Sequence, residues 1–244
     1  MPKLEKKVAI ITGAASGQGA AEARLFAAEG AKVVLTDINA AGGEVIAAEI
    51  GPAARFIRHD VSSHEDWKAV VEATLQTWGR VDILVNNAGI YRQKSFAETD
   101  QALLDLHYRT NALSVFLGMK AVHMPMSKIG GGAIVNVSSG AALRGYAGVF
   151  AYSASKWMVR GLSKCAAVEL APSRIRVNTI LPGLIDTPML GGNTEEFLKQ
   201  ITAAIPLGRL GTPDEVAQTA LYLASDASSY ISGAEITVCG AMMT

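Results

Sequence analysis

The chain has 244 residues, enough for one large domain or two small ones, and half of them are hydrophobic. Its 22 basic and 22 acidic residues balance without a basic block, which argues against nucleic acid or an anionic membrane as a partner. No apolar run reaches the roughly 18 residues that span a bilayer, no signal peptide is evident, and the two distant cysteines and four scattered histidines form no metal motif, so we expect a cytoplasmic protein without a bound metal.

Short β-rich runs alternate with helical patterns along the chain. In chain order the predicted elements are strand Val8–Thr12, helix Ala20–Glu29, strand Lys32–Thr36, helix Glu44–Ile50, strand Arg55–Arg58, helix Glu65–Trp78, strand Asp82–Val85, helix Asp100–Met126, strand Ala133–Val137, helix Phe150–Leu170, strand Arg174–Leu181, helix Pro213–Ala224 and strand Ala234–Val238. The strands are hydrophobic on both faces, which predicts a Rossmann-type, doubly wound parallel sheet with helices on both faces. No linker or repeat divides the chain, so we predict a single α/β domain over residues 1–244.

A glycine-rich turn follows the first predicted strand. Its glycines are Gly13, Gly17 and Gly19, in a G-x-x-x-G-x-G spacing rather than the commoner G-x-G-x-x-G. Glycines allow a sharp turn and close approach to a ligand, and the following helix offers free N–H groups to a pyrophosphate. The position in a βαβ unit favours a dinucleotide site, with Ser16 and Gln18 beside it, over a tight turn without a ligand.

The second and third predicted strands end at acidic residues. Asp37 lies 24 residues after Gly13, where a carboxylate binds the ribose hydroxyls of NAD and repels the 2′-phosphate of NADP. No Lys or Arg follows Asp37, so we predict NAD. Asp60 and Val61 follow the third strand and are placed to contact adenine, although Asp60 also suits a cap for the next turn.

Tyr152 and Lys156 are four residues apart at the start of a predicted helix and therefore share a face. This pair alone is common by chance. The preceding strand, however, carries Ser139 to the carboxyl edge of the sheet, where ligands bind in such folds. A phenol, an ammonium group and a hydroxyl at this edge predict acid–base chemistry.

At these motifs the sequence resembles the short-chain dehydrogenase/reductase family over nearly its whole length. The matching motifs are Thr12-Gly13-x-x-x-Gly17-x-Gly19, Asn86-Asn87-Ala88-Gly89, Asn111, Ser139, Tyr152-x-x-x-Lys156 and Pro182-Gly183. The resemblance implies the catalytic tetrad Asn111, Ser139, Tyr152 and Lys156, with Ser138 as the neighbouring alternative to Ser139. Within the family, the stretch from Ala151 to Lys164 is similar to bacterial hydroxysteroid and secondary-alcohol dehydrogenases.

The tetrad residues have physically reasonable roles. A free tyrosine has a pKa of about 10, and a nearby cation such as Lys156 favours the phenolate, so Tyr152 is predicted to be the acid/base with a lowered pKa. Ser139 is expected to donate a hydrogen bond to the substrate oxygen. The resemblance implies that Lys156 holds the nicotinamide ribose and that Asn111 holds a proton-relay water. A buried, hydrogen-bonded amide is the alternative for Asn111.

Further cofactor contacts follow from the resemblance. They are expected at Asn87, Ala88, Gly89, Pro182, Gly183, Ile185 and Thr187, with a purely structural role equally open for Asn87. The sequence departs from the family pattern at Gln18, where an apolar residue is usual, and at Cys239-Gly240-Ala241, which replaces Asp-Gly-Gly. Gln18 is therefore a candidate for contact with the cofactor or the substrate.

Three segments are expected to line the substrate pocket, namely Ile90–Ser95, Gly140–Phe150 and Leu184–Ile205, with Gly191 and Gly192 as hinges of a lid. The pocket residues named within them are Ala141, Leu143, Val149, Phe150, Leu184, Met189 and Leu190. These apolar walls predict a hydrophobic, cyclic secondary alcohol or its ketone, with hydroxysteroids as one candidate class. The exceptions Arg92, Lys94 and Arg144 are expected at the rim or outside.

Two other functions remain open. A 3-oxoacyl-thioester reductase would favour NADPH and a basic docking surface, and Asp37 argues against it. A non-enzymatic nucleotide-binding regulator would be expected to have a degenerate tetrad, whereas all four positions are intact here. The helix around Leu103–Met126 is apolar on most faces, which predicts a further protein partner and, by the resemblance, a homotetramer.

Overall fold

A parallel sheet carries the predicted site residues. Over residues 2–191 and 194–243, which the computed structural model describes, seven strands pair in the order β3-β2-β1-β4-β5-β6-β7, all parallel. They are β1 (Val8–Thr12), β2 (Lys32–Asp37), β3 (Ala54–Arg58), β4 (Ile83–Asn86), β5 (Gly132–Val137), β6 (Ile175–Pro182) and β7 (Glu235–Val238). The strand order reverses between β1 and β4, which places a crevice at the carboxyl edge of these strands. This confirms the predicted doubly wound α/β fold.

Helices cover both faces of the sheet. They are α1 (Gly17–Ala28), α2 (Ala40–Ile50), α3 (His64–Trp78), α4 (Gln101–His107), α5 (Ser114–Lys128), α6 (Phe150–Leu170), α7 (Glu195–Ala203) and α8 (Pro213–Ala224). Successive residues of β1 point to opposite faces, so that Ile11 joins the core cluster containing Phe26 of α1, and Ile10 joins the cluster containing Trp67 of α3. Among the described helices, none is long and apolar enough to cross a membrane.

The predicted helix Asp100–Met126 is present as one continuous helical stretch, but it is not α-helical throughout. The structure divides it into α4, a π-helical segment Tyr108–Leu113 and α5, which continues through Pro125 to Lys128. A π turn inserts one extra residue into a helix and is frequent at functional sites. The apolar spacing stays helical on both sides of the insertion, and for this reason the sequence pattern did not indicate the break.

Two helices differ from the sequence prediction. Helix α7 lies in the expected pocket segment Leu184–Ile205, for which no helix was predicted. Helix α2 begins at Ala40, four residues before its predicted start, because the Asn39 side chain caps it by accepting a hydrogen bond from the Gly42 amide at 3.1 Å. The remaining predicted strands and helices agree with the structure to within three residues.

Candidate active site

A cavity of about 610 Å³ opens at the carboxyl edge of the sheet, a size typical of ligand sites. Most of the predicted site residues line it. These are Gly13, Ser16, Gly17, Gln18, Asp37, Asn87, Ala88, Gly89, Ser139, Ala141, Val149, Tyr152, Lys156, Pro182, Gly183, Leu184, Ile185, Thr187, Met189 and Leu190. The fold therefore brings together five chain segments, from Gly13 to Leu190, as ligand binding at a topological switch point requires.

Three predicted cofactor residues lie away from this cavity lining. A Cβ added to Gly19 would lie 2.4 Å from the Gly13 carbonyl oxygen, so Gly19 serves the close packing of α1. Asp60 is exposed, and its carboxylate accepts hydrogen bonds from the amide and hydroxyl of Ser62, as expected of a turn cap. Val61 is buried in the core, where its carbonyl accepts the Trp67 indole N–H at 2.9 Å.

Two predicted pocket residues are also placed elsewhere. Phe150 begins α6, is 41% exposed and packs edge-on against Phe96 with ring centroids 5.1 Å apart. Leu143 directly follows the 3-10 turn Gly140–Ala142 and does not line the cavity. Both residues were chosen because they are near Ser139 in sequence, but the turn and the helix start direct them away. Of the two hinge glycines, Gly192 lies outside the described residues.

The start of α1 forms one end of the cavity. Gly13 and Gly17 have φ of +67° and +55°, in the left-handed region that favours glycine. The side chain of the N-cap residue Ser16 makes no hydrogen bond to the first backbone amides of α1. The buried Oε1 of Gln18 has no hydrogen-bond partner among the described residues. A helix N-terminus and an orphaned amide oxygen fit a bound dinucleotide, whose phosphates suit such a helix end.

Asp37 lies at the adjacent end of β2. Its carboxylate is held by backbone amides, since Oδ2 accepts from Ala15 at 3.1 Å and Oδ1 from Asn39 at 2.9 Å. These bonds orient an acidic group into the cavity. Among the described lining residues, Lys156 is the one basic side chain, and it lies at the other end.

The loop after β4 is fastened to β1. The Thr12 hydroxyl oxygen accepts hydrogen bonds from the amides of Asn87 and Ala88 at 3.1 and 3.0 Å, and the Asn87 Nδ2 donates to the Thr12 carbonyl at 2.9 Å. Asn87 therefore braces the switch point with its side chain while it also lines the cavity. Both roles weighed for this residue fit its position.

Two neighbouring serines have different environments at the end of β5. The Ser138 hydroxyl is buried and donates to the Lys156 carbonyl at 2.8 Å, which gives it a structural bond. Both serines line the cavity, but the Ser139 hydroxyl accepts a hydrogen bond from the Ala141 amide at 3.1 Å and bonds the Tyr152 phenol, which lowers the pKa of that phenol. This geometry favours Ser139 over Ser138 as the hydroxyl that meets a substrate.

Burial dominates the ionisation of the Tyr152–Lys156 pair. It raises the pKa of Tyr152, against the smaller opposing effect of Ser139, and it lowers the pKa of Lys156 to about 8. The expected lowering of the Tyr152 pKa by Lys156 is not found in this structure. The Lys156 Nζ instead donates to the Val137 carbonyl at 2.9 Å, and burial of the phenol outweighs the contact that lowers its pKa.

Asn111 lies in the π segment next to this pair. Its Oδ1 accepts the Ile90 amide at 2.8 Å, while its Nδ2 donates to the Ile90 carbonyl and the Ser155 hydroxyl, both at 3.0 Å. A Cβ added to Gly89 would lie 3.3 Å from both Asn111 Oδ1 and Lys156 Nζ, so the two polar groups are close neighbours. The side chain is thus a buried, bonded amide, and the relay water stays a prediction.

Several lining residues were not named individually from the sequence. Tyr91 and Tyr146 fall in the expected segments, and the Tyr91 ring packs edge-on against Tyr152 at 5.0 Å. The exposed Arg92 and Arg144 do not line the cavity, as expected. The tail residues Met242 and Met243 were missed altogether, because a contact between the chain end and the loop after Ser139 leaves no local pattern in the sequence.

No cysteine or histidine is among the described residues that line the cavity. Cys165 and Cys239 are free thiols. Within residues 2–191 and 194–243, no cluster of three or more His, Cys, Asp or Glu side chains is arranged to hold a metal ion. The buried His59, whose pKa burial lowers to about 4, bonds the Thr36 hydroxyl at 3.0 Å and has a structural role.

Known proteins are similar to this chain over nearly all of its length. The sequence model of a family described as enoyl-(acyl carrier protein) reductase matches residues 13–242. A 3-alpha-(or 20-beta)-hydroxysteroid dehydrogenase of Mycobacterium tuberculosis is 44% identical over 242 residues, covering 98% of this chain and 90% of that protein. A cyclopentanol dehydrogenase of Comamonas testosteroni is 41% identical over 249 residues, covering 98% of each chain. A trans-4-hydroxycyclohexanecarboxylate dehydrogenase of Sinomonas cyclohexanicum is 40% identical over 250 residues, covering 98% of this chain and 93% of that protein.

Proposed function

Because the chain belongs to the short-chain dehydrogenase/reductase family of nicotinamide-dependent oxidoreductases, we propose that it interconverts a hydrophobic, cyclic secondary alcohol and its ketone with NAD. The observation that carries the proposal is the meeting of Ser139, Tyr152 and Lys156 at one end of a cavity. The other walls of the cavity include the apolar Ala141 and Val149 together with the rings of Tyr91 and Tyr146. An apolar pocket with one polar end suits a hydroxyl or carbonyl group on a hydrocarbon ring.

Tyr152 and Ser139 have complementary roles in this reaction. In oxidation, the Tyr152 oxygen takes the proton of the substrate hydroxyl, and Ser139 donates a hydrogen bond that holds the substrate oxygen. When bound, NAD⁺ supplies the hydride acceptor, so that the alcohol becomes a ketone and the cofactor becomes NADH. In reduction, the protonated Tyr152 gives its proton to the carbonyl oxygen. Burial of the Tyr152 phenol favours this protonated form.

Lys156 and Asn111 are proposed to support the acid/base Tyr152 without contacting the substrate. We assign Lys156 to the nicotinamide ribose and Asn111 to the placement of a relay water. Lys156 is supported by its position on the cavity one helical turn after Tyr152. Asn111 is supported by its closeness to Lys156 and by the π segment that carries it, since such insertions are frequent at functional sites.

The preference for NAD over NADP rests on Asp37. A carboxylate fixed by two backbone amides can accept hydrogen bonds from the two adenosine ribose hydroxyls, whereas it repels a 2′-phosphate. Lys156 is the one basic group among the described lining residues, and it belongs to the catalytic end. A 2′-phosphate therefore has no evident counter-ion on the lining that the structure describes.

The proposed substrate class draws on the relatives and on the pocket. The names of three relatives specify a hydroxysteroid, cyclopentanol and a hydroxycyclohexanecarboxylate as substrates of those proteins. The matching family model is described as a reductase of enoyl groups on acyl carrier protein, and the rival function is reduction of a 3-oxoacyl thioester, so both point to an acyl thioester as substrate. Such a substrate carries a phosphopantetheine phosphate, and Arg92, Lys94 and Arg144 do not line the cavity to receive it.

We also propose a homotetramer. Large apolar side chains remain exposed along α4, α5 and α6, including Leu104, Leu106, Phe116, Trp157 and Val168. Apolar surface of this extent on neighbouring helices is typical of subunit interfaces, and most such interfaces join symmetry copies. Light scattering at micromolar concentration should give four times the mass of the chain. A monomer would contradict this proposal.

Tyr152→Phe tests the mechanism. The change keeps the ring and its contact with Tyr91 but removes the hydroxyl that moves the proton. With NAD⁺ and cyclohexanol, kcat should fall at least about 100-fold, and NADH binding measured by fluorescence should be retained. Tyr230→Phe is the matched control, because that side chain is fully exposed on the surface. Near-normal turnover in Tyr152→Phe would refute the assignment.

A further inference from the structure

The chain does not end at its last strand but turns back toward the cavity. After β7, the Cys239 carbonyl accepts the Met242 amide at 3.1 Å, and the two residues between them, Gly240 and Ala241, have φ of +59° and +66°. Positive φ at both central positions is the pattern of a type I′ turn, which reverses the chain sharply. The tail segment 242–243 is therefore directed over the carboxyl edge of the sheet.

The turn is seated on the end of β6. A Cβ added to Gly183 would lie 2.9 Å from both Cα and Cβ of Cys239, and the Gly183 amide donates to the Val238 carbonyl at 2.9 Å. On its other side, Gly240 accepts the Leu207 amide at 3.3 Å. These contacts fix where the turn lies, and so they fix where Met242 and Met243 enter the cavity.

Met243 packs against the loop that follows the catalytic serine. A Cβ added to Gly140, the residue after Ser139, would lie only 2.6 Å from the Met243 Cε and 3.1 Å from its Sδ. The Tyr146 hydroxyl donates to the Met243 Sδ at 2.9 Å, and the Arg144 Nε donates to that hydroxyl oxygen at 2.7 Å. Met243 is thus held against the loop that follows Ser139, at the catalytic end of the cavity.

We propose that Met243 is a specificity-determining residue, a flexible apolar wall that limits the size of the ring placed against Ser139 and Tyr152. Both Met242 and Met243 line the cavity, and a thioether chain adapts its shape to a hydrocarbon surface. The proposal rests on the proposed function for the choice of alcohols. It assigns to the tail a selection by size among these alcohols, which the catalytic residues do not provide.

Met243→Ala tests the wall directly. The change removes three heavy atoms of the Met243 side chain. A one-ring substrate then loses contacts with the wall, whereas a two-ring substrate gains the space for its second ring. The ratio of kcat/KM for 2-decalol to that for cyclohexanol should rise at least about tenfold, the usual effect of a few methylene-sized groups in an apolar pocket. The KM for NAD⁺ and the melting temperature should stay near their wild-type values. Met124→Ala is the matched control, since this methionine is 58% exposed on α5.

A second variant moves Met243 without changing it. The Cβ of Gly140→Ala overlaps the Met243 Cε, so this variant should also raise the decalol-to-cyclohexanol ratio. In the Met243→Ala background the same Gly140→Ala change should have little effect, because the overlapping atoms are gone. An unchanged ratio in Met243→Ala, or a uniform loss of kcat for both alcohols, would overturn the proposal.

A footprint separates this proposal from the proposed function. NAD⁺ and 2-decalone cannot react with each other, because both are oxidised, so a ternary complex with both bound would not turn over. Peroxide oxidation of Met243, read by mass spectrometry, should slow at least threefold in their presence, whereas that of Met124 should not change. An enzyme that oxidises no alcohol would contradict the proposed function alone. An oxidation rate of Met243 that is unchanged by NAD⁺ and 2-decalone would overturn the proposal that Met243 forms a wall of the pocket.

Discussion

Arg160 joins three parts of the molecule around the catalytic helix. One turn beyond Lys156 on α6, its Nε and Nη2 each bond one carboxylate oxygen of Glu235 on β7 at 2.9 Å. Its Nη1 donates to the Ala142 carbonyl in the turn after Ser139, and its guanidinium lies 4.7 Å from the Trp157 ring centroid. The Arg160 and Glu235 side chains are 20% and 18% exposed. We therefore expect Arg160→Met to loosen the attachment of both Ser139 and Tyr152.

The expected loss of stability lies between two limits. Breaking a fully buried ion pair costs about 3–5 kcal/mol, and breaking an exposed one costs about 0–1 kcal/mol. With four fifths of both side chains buried and two-point geometry, we expect about 2–3 kcal/mol for Arg160→Met. For a chain of this length that corresponds to a fall in melting temperature of roughly 4–12 °C.

The pH dependence gives a second check. The hydrogen bond from Arg160 lowers the pKa of Glu235 below its ordinary value of 4.5. A depressed carboxyl pKa stabilises the fold above the unfolded value, and this contribution is lost as the pH falls through the folded pKa. The difference in melting temperature between wild type and Arg160→Met should therefore be full at pH 7 and shrink below pH 4.5.

Thermal unfolding followed by circular dichroism, together with kcat/KM, measures both effects. Arg24→Met is the matched control, because Arg24–Glu49 is also an arginine–glutamate pair but its side chains are 48% and 49% exposed, and its loss should cost under about 1 kcal/mol. If Arg160→Met melted within about 1 °C of the control at pH 7, or if the difference were independent of pH, the reasoning about this ion pair would be refuted.

Two further changes test the cofactor end and the core. Asp37→Asn removes the charge and leaves one acceptor oxygen for the two backbone amides, so the expected NAD preference of about tenfold or more in kcat/KM should narrow. Glu22 is fully buried in α1, neither oxygen has a partner among the described residues, and burial raises its pKa to about 8. Because the unfolded chain loses this proton near pH 4.5, stability should fall by about 1.4 kcal/mol per pH unit from there to pH 8, and Glu22→Gln should flatten this slope in melting experiments.

The sequence predicted the sheet because most strands are short, mainly apolar runs, such as Val8–Thr12 and Ile175–Pro182, that are followed by a turn rich in glycine or polar residues. Parallel strands then bring Gly13, Asp37, Ser139 and Pro182 to one edge, which is why residues from distant segments line one cavity. The π segment could not be predicted in the same way. One inserted residue shifts the direction of α5 relative to α4, yet it leaves the apolar spacing on either side intact.

Prediction of the pocket failed where nearness in sequence was used in place of nearness in space. Ala141 and Val149 line the cavity, whereas Leu143 and Phe150, only one or two residues farther along, do not. The short bridge between Lys94 and Val149 turns the chain just before α6 begins, so Phe150 meets Phe96 on the outside. Met243 is about 100 residues from Ser139 in sequence, yet it packs against Gly140 in the loop that follows this serine. Nothing in the sequence around Met243 indicates this contact.

The ionisation of the catalytic pair shows the same distinction between spacing and surroundings. A spacing of four residues predicts that Tyr152 and Lys156 share a face, but it does not say how much water that face retains. The fold buries both groups, and desolvation then favours the neutral form of each, raising one pKa and lowering the other. Tyr152 is therefore a proton donor at neutral pH in this structure. For it to act as the base in alcohol oxidation, additional positive charge must lie beside it, and an oxidised nicotinamide ring carries that charge.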